Sequence, residues 1–181
     1  MNVIIDNVKD LNSIIKVIQD EDFLAIDTEF IRETTYFSKL CLIQIATKNI
    51  SFIIDPLSNN ITLEPLWEIL NKKQIIKVMH SGRQDMEIFY NETGMLPSPV
   101  YDTQVAAMVC GFGDQVSYEN LVKNLLNIAI DKSSRVSDWS FRPLSNKQIS
   151  YALADVTYLI KIYEILKKII SKNERNTWIK E

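Results

Sequence analysis

An α/β domain with a mixed sheet covered by helices is the fold class this sequence predicts, and two observations carry that expectation. Apolar runs of strand length dominate the first 55 residues, after which strand-like and helix-like stretches alternate and helical periodicity closes the chain. No linker or shift in composition interrupts the 181 residues, so they read as one domain, 1–181.

The elements follow in order. A short strand is predicted near Val3–Ile5, then a helix from about Val8 to Ile18, where Leu11, Ile14, Ile15 and Ile18 recur at helical spacing. FLAIDTEF, LCLIQIA (Leu40–Ala46) and SFIID (Ser51–Asp55) read as strands. A tight turn at Lys48–Asn49 joins the last two, suggesting an antiparallel meander. A helix around Leu63–Leu70 returns to a strand, IIKVMH (Ile75–His80). Gly82 then opens a helix through about Tyr90, and TGMLPSP with its two prolines ends it. Helices are expected over Thr103–Val109 and Ser117–Leu126. Between them, Cys110-Gly111-Phe112-Gly113 has a G-x-G but lacks the third glycine of a dinucleotide fingerprint, and reads as a turn. A polar, irregular stretch spans Asp131 to Leu144. The last helix opens on a capping box, Ser145 with Gln148, and runs to about Ser171 along a stripe of Ile149, Leu153, Val156, Ile160, Tyr163 and Leu166.

Bulk properties narrow the function classes. A composition 46% hydrophobic and 24% charged is ordinary for a globular chain, and a net charge of −3 disfavours a tight, sequence-independent DNA packager. Acidity is compatible with nucleic-acid chemistry, because a carboxylate site is negative until divalent ions fill it. Cys41 and Cys110 lie far apart without partners at metal-ligand spacing, and read as small buried hydrophobes in a reduced compartment. The N-terminus lacks the basic-then-apolar pattern of a secretory signal. The apolar stretch from Tyr158 to Ile170 is broken by Lys161, Glu164, Lys167 and Lys168. The expectation is a cytoplasmic protein with no membrane contact and no obligate protein partner.

Four acids stand out. Asp27 and Glu29, two apart in an apolar strand, share one face, where burial and mutual repulsion oppose their ionisation unless something compensates. Asp155 lies in the last helix with Tyr151 four residues earlier on the same face. Asp85 sits early in the helix after IIKVMH, where a helix-dipole acid would also be at home. Each alone reads better as an ordinary surface or capping charge. Together they are the hard oxygen ligands that two Mg²⁺ or Mn²⁺ ions need to bracket an attack on a phosphodiester. His80 is the only histidine, which argues against a zinc site and leaves any His-based triad resting on one residue.

AIDTEFIRETTYFSKLCLIQIA, the Asp55–Pro56 pair, VMHSGRQDMEIF, VYDTQVAA, SDWSFRPLS and YALADVTYL occur in this order. This series resembles ribonuclease D, of the tyrosine branch of the DEDD 3′-5′ exonuclease superfamily, over about residues 20 to 178. The resemblance implies a ribonuclease H-like fold, with a mixed five- to six-stranded sheet flanked by helices. It also implies a site of Asp27, Glu29, Asp85, Tyr151 and Asp155. One metal would be held by Asp27, Glu29 and Asp155 and would activate water. The second would be held mainly by Asp27, with Asp85 reaching it through water, and would steady the leaving 3′ oxygen. Tyr151 would orient the attacking water, since an ordinary Tyr pKa near ~10 suits orientation better than base chemistry.

By the same resemblance the substrate would be RNA with a free 3′ end, such as tRNA precursors or small RNAs, and the products nucleoside 5′-monophosphates. Relatives of this type usually carry helical HRDC domains after the exonuclease domain, and this chain does not reach them. Phe30, His80, Gln84, Arg135, Trp139 and Arg142 are candidate substrate contacts. Core packing is open for Phe30, a structural role for His80, and a loop anchor for Trp139. Asp102, in YDTQ, reads better as a helix cap. The rival readings are a DNA 3′-5′ exonuclease, against which the stretches 32–36 and 138–144 tilt, and a catalytically silent RNA-binding module.

Overall fold

The computed structural model describes residues 3–32, 35–131 and 133–179. Glu33 and Thr34, inside the stretch 32–36, lie outside the described residues.

Six strands form one sheet: β1 (Ile4–Ile5), β2 (Phe23–Ile31), β3 (Lys39–Ala46), β4 (Ser51–Ile54), β5 (Ile76–Met79) and β6 (Val100–Asp102). Their order is β1-β4-β3-β2-β5-β6. The meander β2–β3–β4 is antiparallel as predicted, while β1 pairs parallel to β4, and β5 pairs parallel to both β2 and β6. The helices are α1 (Val8–Ile18), α2 (Glu64–Leu70), α3 (Arg83–Thr93), α4 (Thr103–Val109), α5 (Tyr118–Leu126) and α6 (Asn146–Lys172), followed by a short 3-10 turn at Asn176–Ile179.

Strand alternation sorts the core into two layers. Leu24 and Ile26 of β2, with Ile43 and Ile45 of β3, point to one face. There they meet Leu11, Ile14 and Ile18 of α1, Leu66 and Ile69 of α2, and Ile88 and Phe89 of α3. Phe23, Ala25, Ala46 and Val78 point to the other face, against Val156, Leu159, Ile160 and Tyr163 of α6. The small residues Ala25 and Ala46 sit where α6 lies on the sheet. The outer side of α6 is covered by α4 and α5, through Ala106, Ala107, Leu121 and Val122 against Ile162, Leu166 and Ile170. Truncating a fully buried member such as Ile43 to Ala is worth roughly 2–5 kcal/mol.

Helix ends follow the sequence signals. Ser145 and Gln148 form the reciprocal capping box, Ser117 caps α5 and Asp102 caps α4 by accepting from Gln104 N at 2.8 Å. Helix α3 runs one turn beyond the expected Tyr90 and stops at Gly94, whose φ of 71° makes it a left-handed cap. Gly111 and Gly113 also have positive φ, as the predicted turn requires. The two elements not foreseen are short: β6, three residues of an edge strand, and the four-residue C-terminal 3-10 turn. No helix among the described residues is long and apolar enough to cross a membrane.

Candidate active site

The site exists because β2 is longer than its parallel neighbour. Pairing with β5 covers Phe23 to Ala25, and β5 ends at Met79. Beyond that point β2 keeps β3 on one side and is open on the other. A crevice past the carboxyl end of a strand is the usual ligand position in such sheets. The next residues of β2 are Asp27, Thr28 and Glu29.

Alternation sends Asp27 and Glu29 to the α6 face, where Asp155 meets them. One carboxylate oxygen from each of the three lies within 4.8 Å of the others. Tyr151, one turn before Asp155, brings its hydroxyl within hydrogen-bonding reach of that carboxylate. Thr28 points the opposite way, toward α3, and its hydroxyl donates to Asp85 Oδ1 at 2.6 Å. Asp85 therefore reaches the site from the other side of the sheet, from the first turn of α3, where the helix dipole favours an anion. The turn carrying α3 is held by Asp102, which accepts from Ser81 N at 3.0 Å and Gly82 N at 2.9 Å in addition to its capping bond. Only glycine fits at position 82, because a Cβ there would stand 2.8 Å from Met79 Cβ.

Electrostatics make the cluster unstable as bare carboxylates. Burial, then the charges of Asp85, Asp155 and Glu29, push Asp27 well above the ordinary range. Burial and the nearby Asp155 and Asp85 charges raise Glu29 to about 9. Asp155 rises to about 7 and Asp85 rises too, both chiefly by burial. Burial and the surrounding acids also hold the Tyr151 phenol above its usual value. The Arg135 guanidinium pulls Glu29 and Asp155 down, without reversing either shift. Hard oxygen donors this close, with so little cationic compensation, fit a divalent cation such as Mg²⁺ or Mn²⁺.

Two clefts meet over the acids. One, of about 720 Å³, opens toward α3 and includes Gln84, Arg83 and Phe30. The other, of about 610 Å³, runs beside β2 under the 135–139 loop. Phe30 and Arg135 border both, at the junction. Gln84 is exposed in the first cleft. Phe30 also leans on the core beneath it, so packing and substrate contact coexist there.

Three other candidate contacts are committed to the protein itself. Arg142 places all five N–H donors internally: on Asp55 Oδ2 and Oδ1 at 2.6 and 2.7 Å, and on the carbonyls of Trp139, Phe141 and Cys41. It has no donor left for a phosphate. Trp139 is 2% exposed and packs against Cys41, Leu42, Ile53 and Ala152, so it anchors its loop instead of offering a face to a base. Both ring nitrogens of His80 are occupied, by Thr103 Oγ1 at 3.0 Å and Val116 O at 3.1 Å. Burial keeps its pKa low. Sequence reasoning gave no role to Thr28, Asp55 or Tyr118, whose hydroxyl donates to Ala154 O at 3.0 Å beside Asp155. For Thr28 a signal existed: it lies between two acids on the opposite parity, facing the helix that carries the third.

The sheet order, the α6 face and the acid cluster define a ribonuclease H-like fold of the exonuclease type. A family model described as 3′-5′ exonuclease matches residues 2–171, and the chain belongs to that family. Ribonuclease D of Bartonella henselae is 49% identical over 179 residues, covering 99% of this chain and 44% of that protein. Ribonuclease D of Jannaschia sp. is 51% identical over 165 residues, 89% of this chain and 43% of the relative. Among solved structures, Escherichia coli RNase D superposes with a TM-score of 0.90 at 37% identity, over 95% of this chain and 46% of that one. Brucella melitensis NrnC with bound Mg²⁺ gives 0.78 at 27% identity, over 88% and 78%. The chain thus spans a little under half the length of the ribonucleases D it matches.

Proposed function

We propose that this chain is a divalent-metal-dependent 3′→5′ exoribonuclease domain that removes nucleoside 5′-monophosphates from RNA 3′ ends by a two-metal-ion mechanism. The observation that carries this reading is the convergence of Asp27, Glu29 and Asp155 within 4.8 Å, with the Tyr151 hydroxyl at Asp155 and Asp85 entering from the opposite face. Asp27, Glu29 and Asp155 would hold one ion, and Asp27 with Asp85 would serve the second. When bound, Mg²⁺ or Mn²⁺ lowers the pKa of water to make a nucleophile and neutralises charge on the leaving oxygen. Bound Mg²⁺ in the related NrnC supports a divalent cation as the ion.

The protein's own groups do the positioning. Tyr151 has a phenol held above its ordinary pKa, so it stays protonated at neutral pH. It can therefore orient water by hydrogen bonding and is poorly suited to take its proton. Thr28 fixes Asp85, and Arg135 and Phe30 border the two clefts where a strand would enter and a terminal nucleotide would sit. Two likenesses support RNA as the polymer: the ribonuclease D relatives, and E. coli RNase D, an exoribonuclease involved in structured RNA processing. Trimming of tRNA precursors or small RNAs in the cytoplasm is the setting we propose, in keeping with two free cysteines.

The test is a time course on a short 5′-labelled single-stranded RNA with Mn²⁺ or Mg²⁺, beside the all-DNA strand, a chelated control and Asp155→Asn. The expected result is a ladder shortening from the 3′ end, abolished by chelator and by the substitution. No shortening of either strand by folded protein would point to a silent binding module, and shortening of DNA alone to a DNA exonuclease.

A further inference from the structure

Gln44 lies at the centre of β3, is 0% exposed, and has neither side-chain Nε2 nor Oε1 hydrogen-bonded. A buried amide without partners is costly, and both of its polar ends are left over here. Its place is specific. In the antiparallel β2–β3 ladder Gln44 is the register partner of Asp27. Directly paired residues project to the same face with neighbouring Cβ atoms, so the Gln44 amide lies beside the Asp27 carboxylate on the α6 side. The other β3 residues pointing this way are apolar or small: Leu42 opposite Glu29, and Ala46 opposite Ala25. An apolar residue at position 44 would complete that layer without any orphaned group.

Burial and three neighbouring acids all oppose the charge of Asp27, against a single backbone hydrogen bond favouring it. We infer that Gln44 is the positioning residue of Asp27: once a bound cation holds Asp27 ionised, the unpartnered Gln44 amide donates to its carboxylate and fixes the rotamer from which that carboxylate binds metal. This rests on the exonuclease reading of the site. The amide can donate to Asp27 without adding charge. Partners behind a metal ligand typically change affinity or activity by about 10–100-fold when removed.

The substitution Gln44→Met keeps length and volume and removes both polar ends. If Gln44 serves Asp27, the metal-free protein melts no lower than wild type, because an unsatisfied amide has gone from the core. At the same time Mn²⁺ affinity, read by calorimetric titration without RNA, weakens by about tenfold or more, and kcat falls with KM for RNA unchanged. Stability and function then move in opposite directions. A lower melting temperature of the metal-free variant would make Gln44 part of the packing and overturn the inference. Unchanged Mn²⁺ affinity and kcat would overturn it equally, as a spectator. Wild type that neither binds Mn²⁺ nor shortens RNA would remove the exonuclease reading and this inference with it, whereas an active wild type matched by Gln44→Met removes this inference alone.

Discussion

The Thr28 hydroxyl donates to Asp85 Oδ1 at 2.6 Å across the sheet–helix boundary, joining the strand of the first two acids to the helix of the third. Both residues are buried, and this bond joins backbone N–H groups of Thr28 and Asp85 in satisfying the Asp85 carboxylate while α3 stays on its own face of the sheet. Thr28→Val keeps the shape and removes the donor. A buried acceptor left unsatisfied costs about 1–3 kcal/mol, and a loosened ligand typically costs about tenfold or more in activity. The expected outcome is a folded protein, slightly less stable, with reduced kcat. Full activity in a steady-state assay would show that Asp85 needs no fixing.

The four carboxylates make the metal-free protein sensitive to pH in a direction opposite to the usual acid denaturation. Glu29 is raised to about 9 and Asp155 to about 7, and Asp27 and Asp85 are raised too, so the folded state retains protons that the unfolded chain has released. Stability from these groups is fully present below the unfolded pKa near ~4 and is lost as pH rises through the folded values. Melting with chelator should therefore fall between pH 5 and 9, and the gain on adding Mn²⁺ should grow over the same window. At a hundredfold excess over Kd that gain is about 2.7 kcal/mol, on the order of 5–10 °C for a chain of this size. Asp155→Asn should raise the metal-free melting temperature at pH 8 and abolish most of the Mn²⁺ gain. A chelated protein that grows more stable with pH would contradict the cluster.

Arg142 and Asp55 form a two-pronged ion pair at 2.6 and 2.7 Å, 87 residues apart, with the remaining donors on the loop carbonyls of Trp139 and Phe141 and on Cys41. The pair fastens the 139–142 segment to β3 and the end of β4, and Trp139 in turn stacks near Tyr151, centroids 6.0 Å apart. Arg142→Ala strands a mostly buried Asp55 carboxylate and should cost about 3 kcal/mol. Arg142→Lys cannot reproduce the fork and should recover little of it. Denaturant midpoints of the two variants provide the measurement; equal, wild-type-like midpoints would mean that the loop is held by Trp139 alone.

The sequence was legible where a local pattern and a tertiary role coincide. Helical spacing located α1 to the residue, and strand parity correctly put Asp27 and Glu29 on one face. The convergence with Asp155 came from resemblance, because a separation of more than 120 residues has no local signature. His80, Trp139 and Arg142 show the limit from the other side. Histidine, tryptophan and arginine near a nuclease motif have the chemistry of substrate contacts, but their partners here are Val116, Ala152 and Asp55, distant in the chain. Gln44 was invisible as well, since a glutamine inside LCLIQIA becomes unusual only when its burial and lack of partners are known.

Arg135 keeps its charge available where Arg142 does not. Its side chain is 67% exposed, it borders both clefts, and its ion pair with Glu119 on α5 is a loose 4.0 Å contact. With the guanidinium exposed and the contact this long, the pair stabilises by only about 1 kcal/mol, although the Glu119 side chain is 18% exposed; a charge-assisted hydrogen bond to phosphate is worth about 1.5–3 kcal/mol. An incoming strand can therefore draw Arg135 away from Glu119. Each phosphate contact to a single strand contributes about 0.7 to the slope of log K against log salt. Arg135→Ala should weaken binding of an RNA with a non-hydrolysable 3′ linkage in Mg²⁺ by about tenfold or more, and lower that slope by about 0.7. Glu119→Gln, which removes the competing carboxylate, should not weaken binding. If both variants lose affinity alike and the slope stays at the wild-type value, Arg135 and Glu119 are a structural pair holding the loop on α5, and the phosphate is gripped elsewhere.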